Sequence, residues 1–198
     1  KKKDVPIKAR ELLGVMLAIT AVPVERAIAI LSNVKNYLTG RVVSKPQDLR
    51  LFLSGGCIEE IDHLELIENC GAVIVADNIC LGSRHFLDEV KQEAYPLKAI
   101  ADRYLSHLSC PRIMNDFDRR FDYLLSVKKD YGIDGAIIEK LKFCDLWGGE
   151  IYNYRVEAKK KSVPLLAMER ELYGGGAGQI KTRVQAFLEK LRNKQATD

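Results

Sequence analysis

The stretch Ala72-Val73-Ile74-Val75-Ala76 is an unbroken apolar run, and Asp77-Asn78-Ile79-Cys80-Leu81-Gly82-Ser83-Arg84 follows it directly. A strand-length run without polar alternation is typical of a strand buried on both faces, as in a parallel sheet. Packing alone does not require an acid, a thiol, a glycine and an arginine after such a strand. Because open parallel sheets place their ligands at the carboxyl ends of strands, the stretch indicates both a fold and the place of a site.

Further apolar runs of strand length alternate with segments of helical periodicity. The predicted strands are Leu49–Ser54, Ala72–Ala76, Gly135–Glu139 and Val163–Met168, and the predicted helices lie at 58–69, 96–107, 115–130, 149–161 and 178–193. Strands separated by helices predict a parallel sheet that is covered on both faces. With right-handed crossovers, the predicted fold class is α/β, a flavodoxin-like doubly wound sheet of about four strands.

A helical segment precedes this alternating part. Residues 6–39 carry apolar side chains at helical spacing, with Pro23 opening a second helix and Gly40 ending it. We therefore predict two domains, a helical segment at 1–48 and the flavodoxin-like domain at 49–198. The chain starts without methionine inside a helical pattern, so we expect it to be part of a longer protein.

Composition excludes several classes of protein. A net charge of +4 over 198 residues is too weak an excess to argue for nucleic-acid binding. No apolar run approaches the roughly 20 residues that a membrane span needs. Five cysteines without a CxxC pair argue against a disulfide framework and fit a reducing compartment, so we expect a cytoplasmic protein.

Two of the predicted strands are followed by a cysteine, Cys80 after the second strand and Cys144 after the third. Thiolates are soft ligands, so two such strand exits suggest a metal or redox site. A lone cysteine, however, is most often a small buried residue, and the pattern leaves both alternatives open. Cys57, Cys70 and Cys110 are interpreted as packing residues.

The run Gly174-Gly175-Gly176-Ala177-Gly178 separates the fourth predicted strand from the last helix. Free N–H groups at a helix start favour an anion, which predicts a loop that holds a phosphate or carboxylate, with Gln179 and Arg183 as side-chain donors. A flexible connecting loop is the alternative. The run is not a P-loop, because Ile180 stands where the glycine before the lysine is required.

Other charged residues give weaker signals. Arg84, at the second strand exit, is a candidate for ligand binding. His63 and the pair Arg119-Arg120 lie in helical patterns, and we expect them on solvated faces. The histidines do not pair with cysteines at the spacing of a zinc site, so none is expected.

Taken in order, these stretches resemble the C-terminal part of the cluster-bearing subunits of the 2-hydroxyacyl-CoA dehydratase and benzoyl-CoA reductase family. The matching segments lie at 51–55, 71–86, 104–111, 134–145, 164–169 and 178–189. Residues 77–84 are similar to the family's Asp-Asp-x-Cys-x-Gly-x-Arg pattern, with Asn78 in place of the second aspartate.

The resemblance implies an iron–sulfur subunit of an enzyme that acts on CoA thioesters. In this family two related subunits each hold a [4Fe–4S] cluster through three cysteines, and a separate ATP-dependent activator protein delivers the electron. A ketyl radical of the thioester then allows dehydration, or, in the reductases, an aromatic ring accepts electrons.

By position, the resemblance makes Cys144 a cluster ligand and Cys80 a second candidate. It places further ligands in an N-terminal domain outside this chain, so the chain by itself is expected to be inactive, and the cluster is expected in the full-length protein. Gly178, Gln179, Arg183 and Arg84 are the expected contacts to substrate or cofactor. A double-cubane-type reductase of the same family, or a noncatalytic scaffold that pairs subunits, is the alternative.

Overall fold

A computed structural model describes residues 4–45, 48–93, 95–172 and 175–196 of the chain. The helices are α1 Ala9–Thr20, α2 Val24–Leu38, α3 Ile61–Glu68, α4 Ser83–Phe86, α5 Pro96–Ser106, α6 Phe117–Tyr131, α7 Asp145–Lys160 and α8 Ala177–Gln195. The strands are β1 Leu49–Gly55, β2 Ala72–Asn78, β3 Gly135–Leu141 and β4 Leu165–Arg170.

The strands form one parallel sheet with the order β2-β1-β3-β4, which confirms the predicted doubly wound α/β fold. Leu53 of the central strand β1 lies between Asp77 of β2 and Ile137 of β3. This register brings the carboxyl ends of the three strands side by side, which is where the predicted site residues begin.

Apolar side chains form a core layer on each face of the sheet. Leu51 and Leu53 of β1 belong to the layer under α1, α3 and α8, whereas Phe52 between them belongs to the layer under α6 and α7. Because successive strand residues point to opposite faces, a strand covered on both sides must be apolar throughout. The unbroken apolar runs of the sequence follow from this requirement.

The helix α1 packs against the first of these layers through the buried Leu13. The buried Glu68 accepts hydrogen bonds from the N–H groups of Ala9, at the start of α1, and of Ile74 in β2, each at 3.3 Å. The following helix α2 packs on α1, and all of its residues are described and none is buried. The division into domains at residue 48 stays a prediction.

Most of the predicted elements begin or end one to four residues away from the predicted positions, and one short helix was not predicted. The helix predicted at 149–161 begins earlier, at Asp145, because Gly148 and Gly149 lie on an open side of α7 where they do not interrupt it. The strand β4 begins at Leu165, two residues after the predicted start. The four-residue helix α4 is too short to show any periodicity in the sequence.

The prediction that Arg119 and Arg120 share a solvated face is wrong for Arg120, which is fully buried. Its Nη2 donates to Glu150 Oε2 of α7 at 3.1 Å and its Nη1 to Ser109 Oγ at 2.7 Å. The segment between α5 and α6 folds back over this side chain and removes it from water, and the ion pair with α7 satisfies its charge. Arg119 remains exposed.

No helix in the ranges given above is both long enough and apolar enough to cross a membrane.

The close packing of α8 on β3 predicts the effect of a single methyl group. In Gly135→Ala the added Cβ would lie 2.7 Å from Phe187 Cζ and 3.0 Å from Leu191 Cδ1. Because both side chains belong to the core, we expect a loss of about 1–3 kcal/mol in the free energy of unfolding, measured by urea denaturation. The control is Gly149→Ala, where no atom lies within 4 Å. We expect this variant to keep or gain stability, by up to about 1 kcal/mol. Equal unfolding midpoints for the two variants would contradict the packing argument.

The burial of Glu68 predicts that the protein's free energy of unfolding depends in part on pH. Burial raises the pKa of its carboxyl above the ordinary 4.5, against hydrogen bonds from Ala9 and Ile74 and the charges of Lys8 and Arg10. The folded protein therefore binds this proton more tightly than the unfolded chain does. The free energy of unfolding of the protein therefore falls as the pH rises from the pKa of Glu68 in the unfolded chain through its higher pKa in the folded protein.

We expect the wild type to lose stability relative to Glu68→Gln across that window and the difference to level off above it. Urea denaturation at steps from about pH 4 to pH 8 checks this. A stability difference that stays constant over the series would show that Glu68 does not titrate differently in the folded state.

Candidate functional site

The predicted site residues gather where the parallel strands end. We call this region, residues 55–60, 77–84, 139–145 and 170–172, the carboxyl edge. Its segments lie side by side because the four strands run in the same direction.

The turn after β2 is built on a buried carboxylate. Asp77 Oδ1 accepts the N–H of Ile79 at 3.2 Å and of Ser83 at 2.8 Å, and Ser83 Oγ donates to Oδ2 at 2.9 Å. Burial raises the pKa of Asp77, and these hydrogen bonds oppose the rise. A Cβ on Gly82 would lie 2.1 Å from Asp77 Oδ1, so only glycine allows the turn to close. The turn sets the position of α4 and therefore of Arg84.

Arg84 connects the ends of β1 and β2. It is only 5% exposed, and its Nε donates to Asn78 Oδ1 at 2.8 Å. Its Nη2 donates to the carbonyl oxygens of Asn78 at 2.7 Å and Gly55 at 3.3 Å. Its Nη1 lies 3.5 Å from Cys80 Sγ. The structure thus brings two predicted site residues, Arg84 and Cys80, into contact.

Cys144 is the N-cap residue of α7, just after the end of β3. The preceding Phe143 has a φ of +66° and an exposed side chain, so the chain turns sharply between strand and helix. The thiol of Cys144 is half-buried and packs against the core layer under α6 and α7. It therefore lies at the carboxyl edge and is not sealed inside the core.

Cys57 lies at the end of β1, and its interpretation as a packing residue is wrong because it is exposed. The loop that follows Gly55-Gly56 leaves the sheet here, which leaves most of the side chain exposed. Partial desolvation raises the pKa of its thiol, and the nearby Cys80 acts in the same direction. Cys70, by contrast, is half-buried against the core, and its Sγ donates to the Leu66 carbonyl at 3.3 Å.

These thiols have the donor chemistry that iron–sulfur clusters require, but not the number. Among the residues that the structure describes, no group of three or more His, Cys, Asp or Glu side chains converges as a metal site. Cys80 and Cys144 follow β2 and β3, which β1 separates. Each is available as a single donor, and a cluster would take its remaining ligands from outside the described residues.

The sequence did not reveal a buried network beside these thiols. His63, predicted to lie on a solvated face, instead contacts Glu139 of β3, with Nε2 at 2.8 and 3.0 Å from the two carboxylate oxygens. Glu139 is 1% exposed, and Arg170 of β4 places its Nε 3.5 Å from it. Arg170 Nη1 also donates to Glu60 at 3.1 Å. The one sign of this network in the sequence is Glu139, a charged residue at the end of the apolar run 135–139.

The network borders a cavity of about 210 Å³ between α3 and the start of α8. Part of the predicted anion loop lies here: Gly175 and Ala177 line the cavity, and Gly176 precedes α8 with a φ of +80°. Gly174 lies outside the described residues.

Two further residues of the predicted loop site, Gly178 and Gln179, lie exposed in the first turn of α8. Arg183 donates from Nη2 to the Ala167 carbonyl of β4 at 2.7 Å, which ties α8 to the sheet. The ligand-binding roles of Gly178, Gln179 and Arg183 stay predictions.

The buried network predicts a large difference in stability between two glutamate-to-glutamine variants. Glu139→Gln removes the charge that faces both His63 and Arg170, and breaking such a buried pair costs about 3–5 kcal/mol. We expect this loss in urea denaturation at neutral pH. Glu171→Gln is the control, because Glu171 pairs with Lys142 at the surface and its loss should change little. If both variants unfold at the wild-type midpoint, the network does not stabilise the sheet.

Relatives found by comparison with known proteins include two dehydratase beta subunits. The chain is 25% identical over 145 residues to the beta subunit of (R)-phenyllactyl-CoA dehydratase from Clostridium sporogenes, a match over 72% of this chain and 38% of that protein. It is 27% identical over 146 residues to the beta subunit of lactoyl-CoA dehydratase from Anaerotignum propionicum, over 72% and 38%. The chain thus spans little more than a third of the length of these relatives.

The family model for the D-component of 2-hydroxyglutaryl-CoA dehydratase matches residues 1–191. This match confirms the resemblance stated from the sequence, and the chain belongs to the 2-hydroxyglutaryl-CoA dehydratase D-component family.

Proposed function

We propose that the chain is part of an iron–sulfur subunit of an ATP-activated, ketyl-radical dehydratase that acts on 2-hydroxyacyl-CoA thioesters. Family membership and two relatives named as dehydratase beta subunits support this class. Both names favour dehydration over the ring reduction of a benzoyl-CoA reductase. The structural observation that carries the proposal is the half-buried thiol of Cys144 at the carboxyl edge.

In this proposal Cys144 and Cys80 are ligands of a [4Fe–4S] cluster in the full-length protein. The N–H groups at the N-terminus of α7 favour negative charge beside Cys144, and the guanidinium of Arg84 does the same beside Cys80. When bound, such a cluster supplies single-electron chemistry. The protein's own part is to hold the two thiols at the carboxyl edge on turns fixed by Asp77, Gly82 and the positive φ of Phe143.

The proposal includes two protein partners. The relatives are named as beta subunits, which supports a related second subunit here. A separate ATP-dependent activator would supply the electron, and the lack of a P-loop glycine at Ile180 is consistent with ATP binding on another protein. Free cysteines throughout the described residues are consistent with the reducing cytoplasm.

Anaerobic reconstitution of the full-length protein with iron and sulfide tests the ligand assignment. We expect the wild type to turn brown and bind iron, and Cys144→Ser to lose most of that iron, because a thiolate ligand is removed. Cys80→Ser tests the second ligand in the same way. Cys70→Ser is the matched control, since its thiol packs on the core away from the carboxyl edge. If Cys144→Ser and wild type bind equal iron, the role of Cys144 is wrong.

A noncatalytic scaffold that pairs subunits is the second candidate, and one observation favours it. The helix α2 exposes Val24, Ile28 and Leu31, an apolar surface of the kind found at subunit contacts. The reconstitution experiment separates the two functions. A full-length wild type that stays colourless and iron-free after anaerobic reconstitution supports the scaffold.

A further inference from the structure

The helix α2 has two apolar faces. One face packs on α1, and its half-buried side chains recur every three or four positions. These are Ala27, Ile30, Val34 and Leu38. The second face carries Val24, Ile28 and Leu31, and the part of the chain that the structure describes leaves all three exposed. An aligned row of exposed apolar side chains, unlike a single one, marks a contact surface.

The second face has the spacing of a coiled-coil seam. Val24, Ile28 and Leu31 stand at intervals of four and three residues, and the exposed Lys35 follows four residues later. Alternating intervals of four and three keep side chains in line along a helix that packs on another helix. We call these four residues the α2 seam. Its apolar part suits a second helix, and the charge at its end has to be matched by that helix.

Two charged residues decide which helix fits. Lys35 ends the α2 seam, and Glu25 adjoins Val24 at the other end. Both are exposed, and among the described residues neither makes an ion pair. In a parallel pair of α2 helices Lys35 would face its own copy, which like charges disfavour. In an antiparallel pair Lys35 lies beside the Val24 end of the second copy, where Glu25 balances its charge.

The apolar residues fit the same antiparallel arrangement. When Lys35 lies beside Val24 of the second copy, the alternating spacing places Ile28 of each copy opposite Leu31 of the other. The two central layers are then wholly apolar, and the pair of opposite charges occurs once at each end. A seam with an apolar middle and opposite charges at its ends is complementary to itself under a two-fold axis.

We propose that the α2 seam binds a second copy of this chain as an antiparallel helix pair, with Ile28 against Leu31 and Lys35 against Glu25. The inference goes beyond the proposed function, because it requires neither a cluster nor a thioester. The 15 residues of α2 extend over only about 22 Å, so the contact is smaller than a standard-size interface. We therefore expect a reversible dimer with a dissociation constant in the micromolar range.

Sedimentation equilibrium of the full-length protein, from about 1 to 100 μM, tests the pairing. We expect the mass to rise from one copy to two with concentration, and Leu31→Glu to stay monomeric because it places charge in both central layers. Glu25→Lys and Lys35→Glu should each weaken the dimer roughly tenfold at low salt, since like charges then meet twice. The double variant Glu25→Lys/Lys35→Glu should recover most of the affinity, because the reversed pairs attract again.

Arg26→Glu is the matched control, because Arg26 is exposed on the side of α2 away from the seam and the change in net charge equals that of Lys35→Glu. It should dimerise like the wild type. A wild type that stays monomeric up to about 100 μM would overturn the proposal and leave the seam to another part of the full-length protein or to a related subunit.

Two further results would also overturn it. Leu31→Glu that dimerises like the wild type would place the contact elsewhere on the molecule. A double variant that dimerises no better than Glu25→Lys or Lys35→Glu alone would rule out the antiparallel pair. Because the mass is measured without added iron, its outcome is independent of the reconstitution experiment, and either proposal can fail alone.

Discussion

The central strand β1 is the constraint on which the rest of the structure depends. All seven of its residues are buried, and it pairs with β2 on one side and β3 on the other. Backbone groups that leave such a strand need partners as soon as the ladder ends. Two buried arginines supply them: Arg84 donates to the Gly55 carbonyl and Arg170 to the Cys57 carbonyl. The polar character of the carboxyl edge thus follows from the burial of β1.

The fold could be predicted because its signals are local. An apolar run such as 72–76 identifies a buried strand without reference to any other part of the chain, and alternating strands and helices leave few topologies. The start of α7 was missed because Gly148-Gly149 weakens the helical signal locally, whereas in the structure both glycines lie on an open side. Packing against the sheet outweighs propensity there.

The candidate site could be predicted only in part, for the same reason. Arg84 and Cys80 share one turn, so their contact was within reach of the sequence. The partners of His63 and Arg120 were not, because Glu139 lies 76 residues from His63 and Glu150 lies 30 residues from Arg120. Whether a charged residue is buried depends on what folds over it, which periodicity within one helix cannot show. Cys57 is the opposite case, because the sequence predicts it in the core and the structure leaves it exposed.

The two arginines also determine how the loop after β1 can move. The loop is held at Gly55 from the side of β2 and at Cys57 from the side of β4, although β4 is not adjacent to β1 in the sheet. A molecule that docks there can displace the loop only by breaking the hydrogen bonds to both guanidiniums. A movement of this one loop would therefore be felt at Arg84, which follows β2, and at Arg170, which ends β4, and these are the two edge strands of the sheet.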